Sequence, residues 1–231
     1  MLAIGVIYAV GYPCIQSSKK NTQFQNTEQS FMVLQSDIKM VAFDQAPVKT
    51  MKTSLGGGSL TVNSSKGHIK VENATGTIWY DGTIGAIEYE KNGRSIAYEG
   101  GGVWEKYPAG SAIKLSEPRI FAHNTSDGNR TVFVSIINIS SDLSSVGGEG
   151  TASVVVRLNN RSSSPYINST STPENVTIVV TSDYADAWER YFNDIKKEGD
   201  YVNTTGANEV TATIGYDTLV VNAHVIEVEV S

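Results

Sequence analysis

Nine asparagines stand in Asn-x-Ser/Thr triplets with x other than Pro: Asn63, Asn73, Asn124, Asn129, Asn138, Asn160, Asn168, Asn175 and Asn203. The side-chain amide of such an asparagine is the acceptor for an N-linked sugar in an exported protein. The chain has 16 Asn, 25 Ser and 20 Thr in 231 residues. Random placement of Ser and Thr would put only roughly three of the 16 in that context. None of the nine precedes residue 54. Their confinement to one part of the chain points to a glycosylated exterior; the alternative is a Ser/Thr/Asn-rich composition that carries no sugar.

Other chemistry is sparse. His68, His123 and His224 are scattered, with no His-x3-His or His-Glu-x-x-His spacing. The single cysteine, Cys14, excludes a disulfide framework and a cysteine zinc site. Glu88/Glu90 and Glu227/Glu229 are i, i+2 pairs that a strand presents on one solvated face. Gly100-Gly101-Gly102 lacks the Lys-Ser/Thr that a phosphate loop requires, so a tight connection or bulge is expected. No Gly-x-Ser-x-Gly elbow occurs. No catalytic residue, metal site or cofactor is therefore expected. A binding alternative would use Trp79, Tyr80 or Trp104 against a glycan.

The elements that must position these groups differ along the chain. Residues 1–53 carry a net charge of +2 and residues 54–231 a net of −8, within an overall −6. An acidic balance leaves no footprint for nucleic acid. Met1–Ile15 is uncharged and is followed at once by Lys19 and Lys20. Fifteen residues are short of the roughly 20 that span a bilayer, and Gly5, Gly11 and Pro13 suit a membrane helix better than a buried soluble one. An apolar helix whose first part precedes Met1 accounts best for that length. Phe24, Phe31, Leu34, Ile38 and Val41 then recur on one helical face. That face is the candidate assembly surface, or else simply the side that covers the following sheet.

After Leu55-Gly56-Gly57-Gly58 the apolar period shortens to two. Asn92-Gly93 predicts a type I′ hairpin pairing Lys91 with Arg94, Tyr89 with Ile96 and Ile87 with Tyr98. Further strands are expected at 117–122, 130–139, 151–158, 175–181, 208–216 and 218–230, with a bulge near His224–Val225. Residues 140–150 and 159–173 read as exposed loops. Tyr184, Trp188, Tyr191 and Ile195 line one side of a short helix capped by Ser182 or Asp183. The expected class is α+β, mainly β: a long N-terminal helix (residues 1–50), then an antiparallel β-sandwich-like domain (54–231) with one inserted short helix.

The segments FQNTEQSFMVLQSDIKMVAFDQAPVKTMKTSLGGG (24–58) and EYEKNGRSIAYEGGGVWEK (88–106), after an apolar leading helix, resemble archaeal type IV pilin-like surface proteins whose individual roles are unassigned. The resemblance implies a helix that sits in a membrane or packs into a filament. The expectation is a non-enzymatic, membrane-anchored cell-surface protein. Its partners would be the membrane, through that helix, and further copies or other pilin-like subunits. The alternatives are a filament subunit or an exported glycan-binding module.

Overall fold

The computed structural model describes residues 2–44, 46–108, 110–159 and 166–231, with side chains from Thr22 onward outside the gaps. Two helices and thirteen strands lie among the described residues. Helix α1 (Leu2–Phe43) leads, followed by β1 (Val48–Ser54), β2 (Gly58–Asn73), β3 (Ile78–Lys91), β4 (Arg94–Glu99) and β5 (Gly102–Lys106). Next come β6 (Ala112–Ser116), β7 (Ile120–Asn124), β8 (Arg130–Ser140), β9 (Ser144–Gly148), β10 (Thr151–Asn159) and β11 (Tyr166–Thr181). Helix α2 (Ala185–Ile195), β12 (Tyr201–Thr204) and β13 (Glu209–Val230) close the chain.

All thirteen strands join one sheet, whose main path runs β1-β10-β13-β11-β2-β3-β4-β5-β6. The expected α+β class is thereby corrected to mainly β. The sheet is also not wholly antiparallel, because β8 pairs parallel to β13 from Thr131↔Thr218 to Ser140↔Glu227. Nothing local could reveal that pair, whose partners are more than 80 residues apart. The boundary placed between residues 50 and 54 falls inside β1, which pairs with β10.

The long strands explain why one sheet encloses two cores. In β2, Leu60 and Val62 belong to a core under α1, whereas Ile69 and Val71 belong to a core under α2. In β8 the apolar phase flips between adjacent Ile136 and Ile137, which enter opposite cores. β13 makes the same change between Ala223 and Ile226. Its registers with β8 and β10 run unbroken through Val225, so the bulge expected there is absent. From Leu219 onward the strand keeps its period of two, and it is the buried face that switches. β4 lies between the cores, with Ile96 and Tyr98 in one and Ala97 in the other.

The Asn92-Gly93 hairpin has the expected register. Asn92 at φ 54° and Gly93 at φ 75° are the two positive-φ residues of a type I′ turn. Two expected loops are corrected. Residues 144–148 form β9 on β2, and β11 begins at Tyr166 against β13. Their Ser- and Asn-rich sequences lack apolar alternation because much of each strand faces solvent. Helix α2 presents Trp188 and Tyr191 to the core as expected. Its N-cap residue, however, is Tyr184 and makes no side-chain cap bond; Ser182 Oγ instead accepts from the Tyr184 backbone N–H at 2.9 Å.

Candidate functional site

Phe24, Phe31, Leu34, Ile38 and Val41 are buried against β2, β3, β4, β10 and β13. Each such side chain contributes about 1.5–3 kcal/mol of transfer free energy, so the five together bind the helix firmly. The stripe expected to serve assembly is thus occupied by the chain's own sheet. That expectation is corrected: the face is covered within the same molecule.

Polar groups fix the point where this packed segment begins. Gln23 donates from Nε2 to the Leu55 carbonyl at 3.0 Å and accepts from Lys91 Nζ at 2.8 Å. Tyr89 OH donates to the same Leu55 carbonyl at 2.8 Å, and Lys91 also reaches the Gly56 carbonyl. Gly56 must be glycine, since its φ is +47° and a Cβ would fall 1.6 Å from Gln23 Nε2. One turn further along, Arg94 pairs with Glu28 at 3.0 Å and with buried Glu105. Its guanidinium also lies 4.2 Å over the Phe24 ring. Burial, together with the charge of Glu105, raises the pKa of Glu28 against the pull of Arg94. One cation thus holds two carboxylates and an aromatic ring.

A second node joins both helices to the β4–β5 turn. Gln35, 4% exposed within the apolar stripe of α1, donates to the carbonyls of Gly101 (2.8 Å) and Glu117 (3.1 Å). It accepts from Ser116 Oγ at 2.7 Å. On the other side, Glu99 Oε1 accepts from Ser182 Oγ at 2.6 Å and from Trp188 Nε1 at 3.1 Å. Glu99 is fully buried, and desolvation pushes its pKa up to about 7 against those two hydrogen bonds. Its Oε2 has no hydrogen-bond partner among the described residues. Gly100 and Gly101 turn the chain at φ +60° and +91°, with Trp188 packed against the first. The glycine triplet is therefore a tight connection, as its sequence implies. Gln35 and Glu99 went unrecognised in the sequence. The available signal was a polar residue on a buried phase: Gln35 beside Leu34, and Glu99 two residues after Ala97.

The acceptor asparagines are unevenly placed. Asn73, Asn124, Asn129, Asn168, Asn175 and Asn203 lie on strands and turns around the α2-side core. Asn63 and Asn138 lie near the crossover between the cores, and Asn160 is outside the described residues. No described acceptor sits on α1, β1, β9 or β10. Asn124, Asn129, Asn175 and Asn203 are exposed, and Asn63 and Asn73 half-exposed. Asn138 Oδ1 accepts from the Gly85 N–H at 3.0 Å and Asn168 Nδ2 donates to Tyr216 OH at 3.0 Å. Asn63, Asn73 and Asn124 instead accept through Oδ1 alone, and their amide nitrogens take no part in these bonds.

The other sequence candidates do not converge. Trp104 is completely buried against Trp188, which removes it as a glycan platform. Trp79 and Tyr80 both pack on the α2-side core, brought to one side by a register shift in the β2–β3 ladder. His68 pairs with Asp81 at 2.8 Å, His123 is exposed, and His224 packs edge-on against Phe43. Among the described residues no group of three or more His, Cys, Asp or Glu is placed to hold a metal ion. No helix among them is long and apolar enough to cross a membrane. The anchor expected at Met1–Ile15, with Cys14, has its side chains outside the described residues.

The molecule is a mainly β body seated on a long helix and braced by a short one. It belongs to a protein family described as a family of unknown function, DUF7289, which matches residues 1–230. No curated protein and no solved structure matches it.

Proposed function

We propose that this chain is a non-enzymatic cell-surface protein of type IV pilin-like architecture, held to a membrane by the apolar start of α1 and displaying its sheet outside. The observation that carries the reading is the polarity of the body. The packed part of α1 begins at Gln23, beside Leu55 and Tyr89, at the start of β2. The β2–β3 turn with Asn73 lies at the other end of β2, a strand contour of roughly 50 Å away. Six of the eight described acceptor asparagines lie around the α2-side core, and none of the eight sits on α1, β1, β9 or β10. A body anchored through α1 would carry its sugars on the side turned away from the membrane.

The test is fractionation of native cells, followed by intact-mass and glycopeptide analysis of the purified protein. Membrane-associated protein, cleavable by protease added outside intact cells and carrying sugar at Asn73 or Asn124, is the expected result. Freely dissolved cytosolic protein without sugar would remove the proposal. Electron microscopy of surface preparations separates a single displayed protein from a filament subunit. Because Phe31, Leu34 and Ile38 are already covered, a filament would use the apolar start of α1 or another side of the helix, where Val33 is 53% exposed.

A further inference from the structure

A groove of about 460 Å³ runs between α1 and the β6–β7 segment, a volume within the usual range for small-ligand sites. Lys39 of α1 and Arg119 face it, with Leu115, Pro118 and Phe121 as apolar walls. Neither cation has a carboxylate partner among the described residues. Glu117, which also lines the groove, is paired with Lys114 at 3.1 Å. Arg119 stacks 4.8 Å from the Phe43 ring, and its Nε is buried without an acceptor. Burial and the charge of Arg119 both lower the pKa of Lys39. Two half-buried cations that repel each other, one with an orphaned buried donor, form an arrangement that an anion would relieve.

The aromatic wall narrows the chemistry. Phe121 is 41% exposed and stacks on Phe133 at 4.9 Å, leaving ring surface beside the cations. The C–H face of a sugar ring packs against such a surface while its hydroxyls stay in water. A planar guanidinium matches an oxyanion with two parallel N–H donors. We propose that this groove binds an anionic sugar, whose carboxylate or phosphate group is held by Arg119 and Lys39 and whose ring lies on Phe121. No described acceptor asparagine lines the groove, and binding there does not depend on where the body is displayed.

Calorimetric titration of the full chain with glucuronate, glucose 1-phosphate, glucose and inorganic phosphate tests this. Binding of at least one anionic sugar, with none of glucose, is expected; which of the two binds assigns carboxylate or phosphate. Arg119→Gln should weaken that binding by about tenfold or more. Phe121→Ala should weaken the sugar while leaving inorganic phosphate unchanged. Should Arg119→Gln fail to fold, Lys39→Gln on the flank of α1 gives the same reading. Absence of binding by both anionic sugars, or unchanged affinity in the folded charge variants, overturns the proposal. Inorganic phosphate binding as tightly as the sugars would overturn it too, because the ring would then contribute nothing.

Discussion

The two cores are closed by helices in different ways. Under α1 the lid is a long aliphatic stripe, with its polar anchors at the edges: Gln23 and Arg94 near one end, Gln35 at the β4–β5 turn. Under α2 the lid is aromatic and only 11 residues long, and it is tied down by a fully buried carboxyl, Glu99. The difference follows from length. A 42-residue helix can bury a stripe along several strands. An 11-residue helix must gain its hold from large rings and a few strong hydrogen bonds. Most of the described acceptor asparagines surround the core under α2, with Asn63 and Asn138 at the crossover between the cores.

The largest effect should come from emptying either lid. Trp188→Ala and Phe31→Ala, both at positions almost fully buried, should each cost about 3–5 kcal/mol in denaturant unfolding. The shared strands β2, β4, β8 and β13 imply one transition for each variant. Two separated transitions in Trp188→Ala would break the picture of coupled cores and make α2 an independently melting cap.

Next in size is the pH response of Glu99. Its folded pKa of about 7 exceeds the 4.5 of an ordinary glutamate, so between those values the folded state keeps a proton that the unfolded chain has released. Its contribution is full below about 4.5 and is lost as pH rises toward 7, by up to about 3 kcal/mol. Glu99→Gln keeps the shape and removes the charge. Urea midpoints of the two proteins should therefore diverge in the variant's favour between pH 5 and 7, and a constant difference would refute the assignment. Smaller again is the clamp at the start of the packed helix: Arg94→Met leaves Glu28 and Glu105 facing each other, a loss of about 1–3 kcal/mol in urea unfolding at pH 7. At the small end, Asn203→Gln on an exposed position should leave stability within about 0.5 kcal/mol. Glycopeptide mass spectrometry of that variant should show the loss of any sugar at residue 203 alone.

Local physics carried a good deal of the fold into the sequence. The hairpin at Asn92-Gly93 was readable because turn chemistry and a shared apolar face select the same register. The α2 stripe was readable because Trp188 and Tyr191 fall on one helical side. Strands such as β9, or β11 between Tyr166 and Ser171, were not, because a strand with solvent on most of its length needs no apolar alternation. Of the candidate sites, the acceptor triplets were fully visible as motifs, but that most of them surround one core was not. The groove at Lys39 and Arg119 was invisible, since those residues are 80 positions apart and neither stands in a recognisable motif.

The sequence by itself determined the helices, the tight turns and most strand positions, because periodicity, glycine and proline act over a few residues. The tertiary structure alone decided that thirteen strands share one sheet, that β8 runs parallel to β13, and that the α1 stripe covers its own sheet. Those outcomes depend on which buried face each long strand offers to which core. That choice is made by side chains far apart in the chain, whose packing energies are comparable until the whole body closes around them.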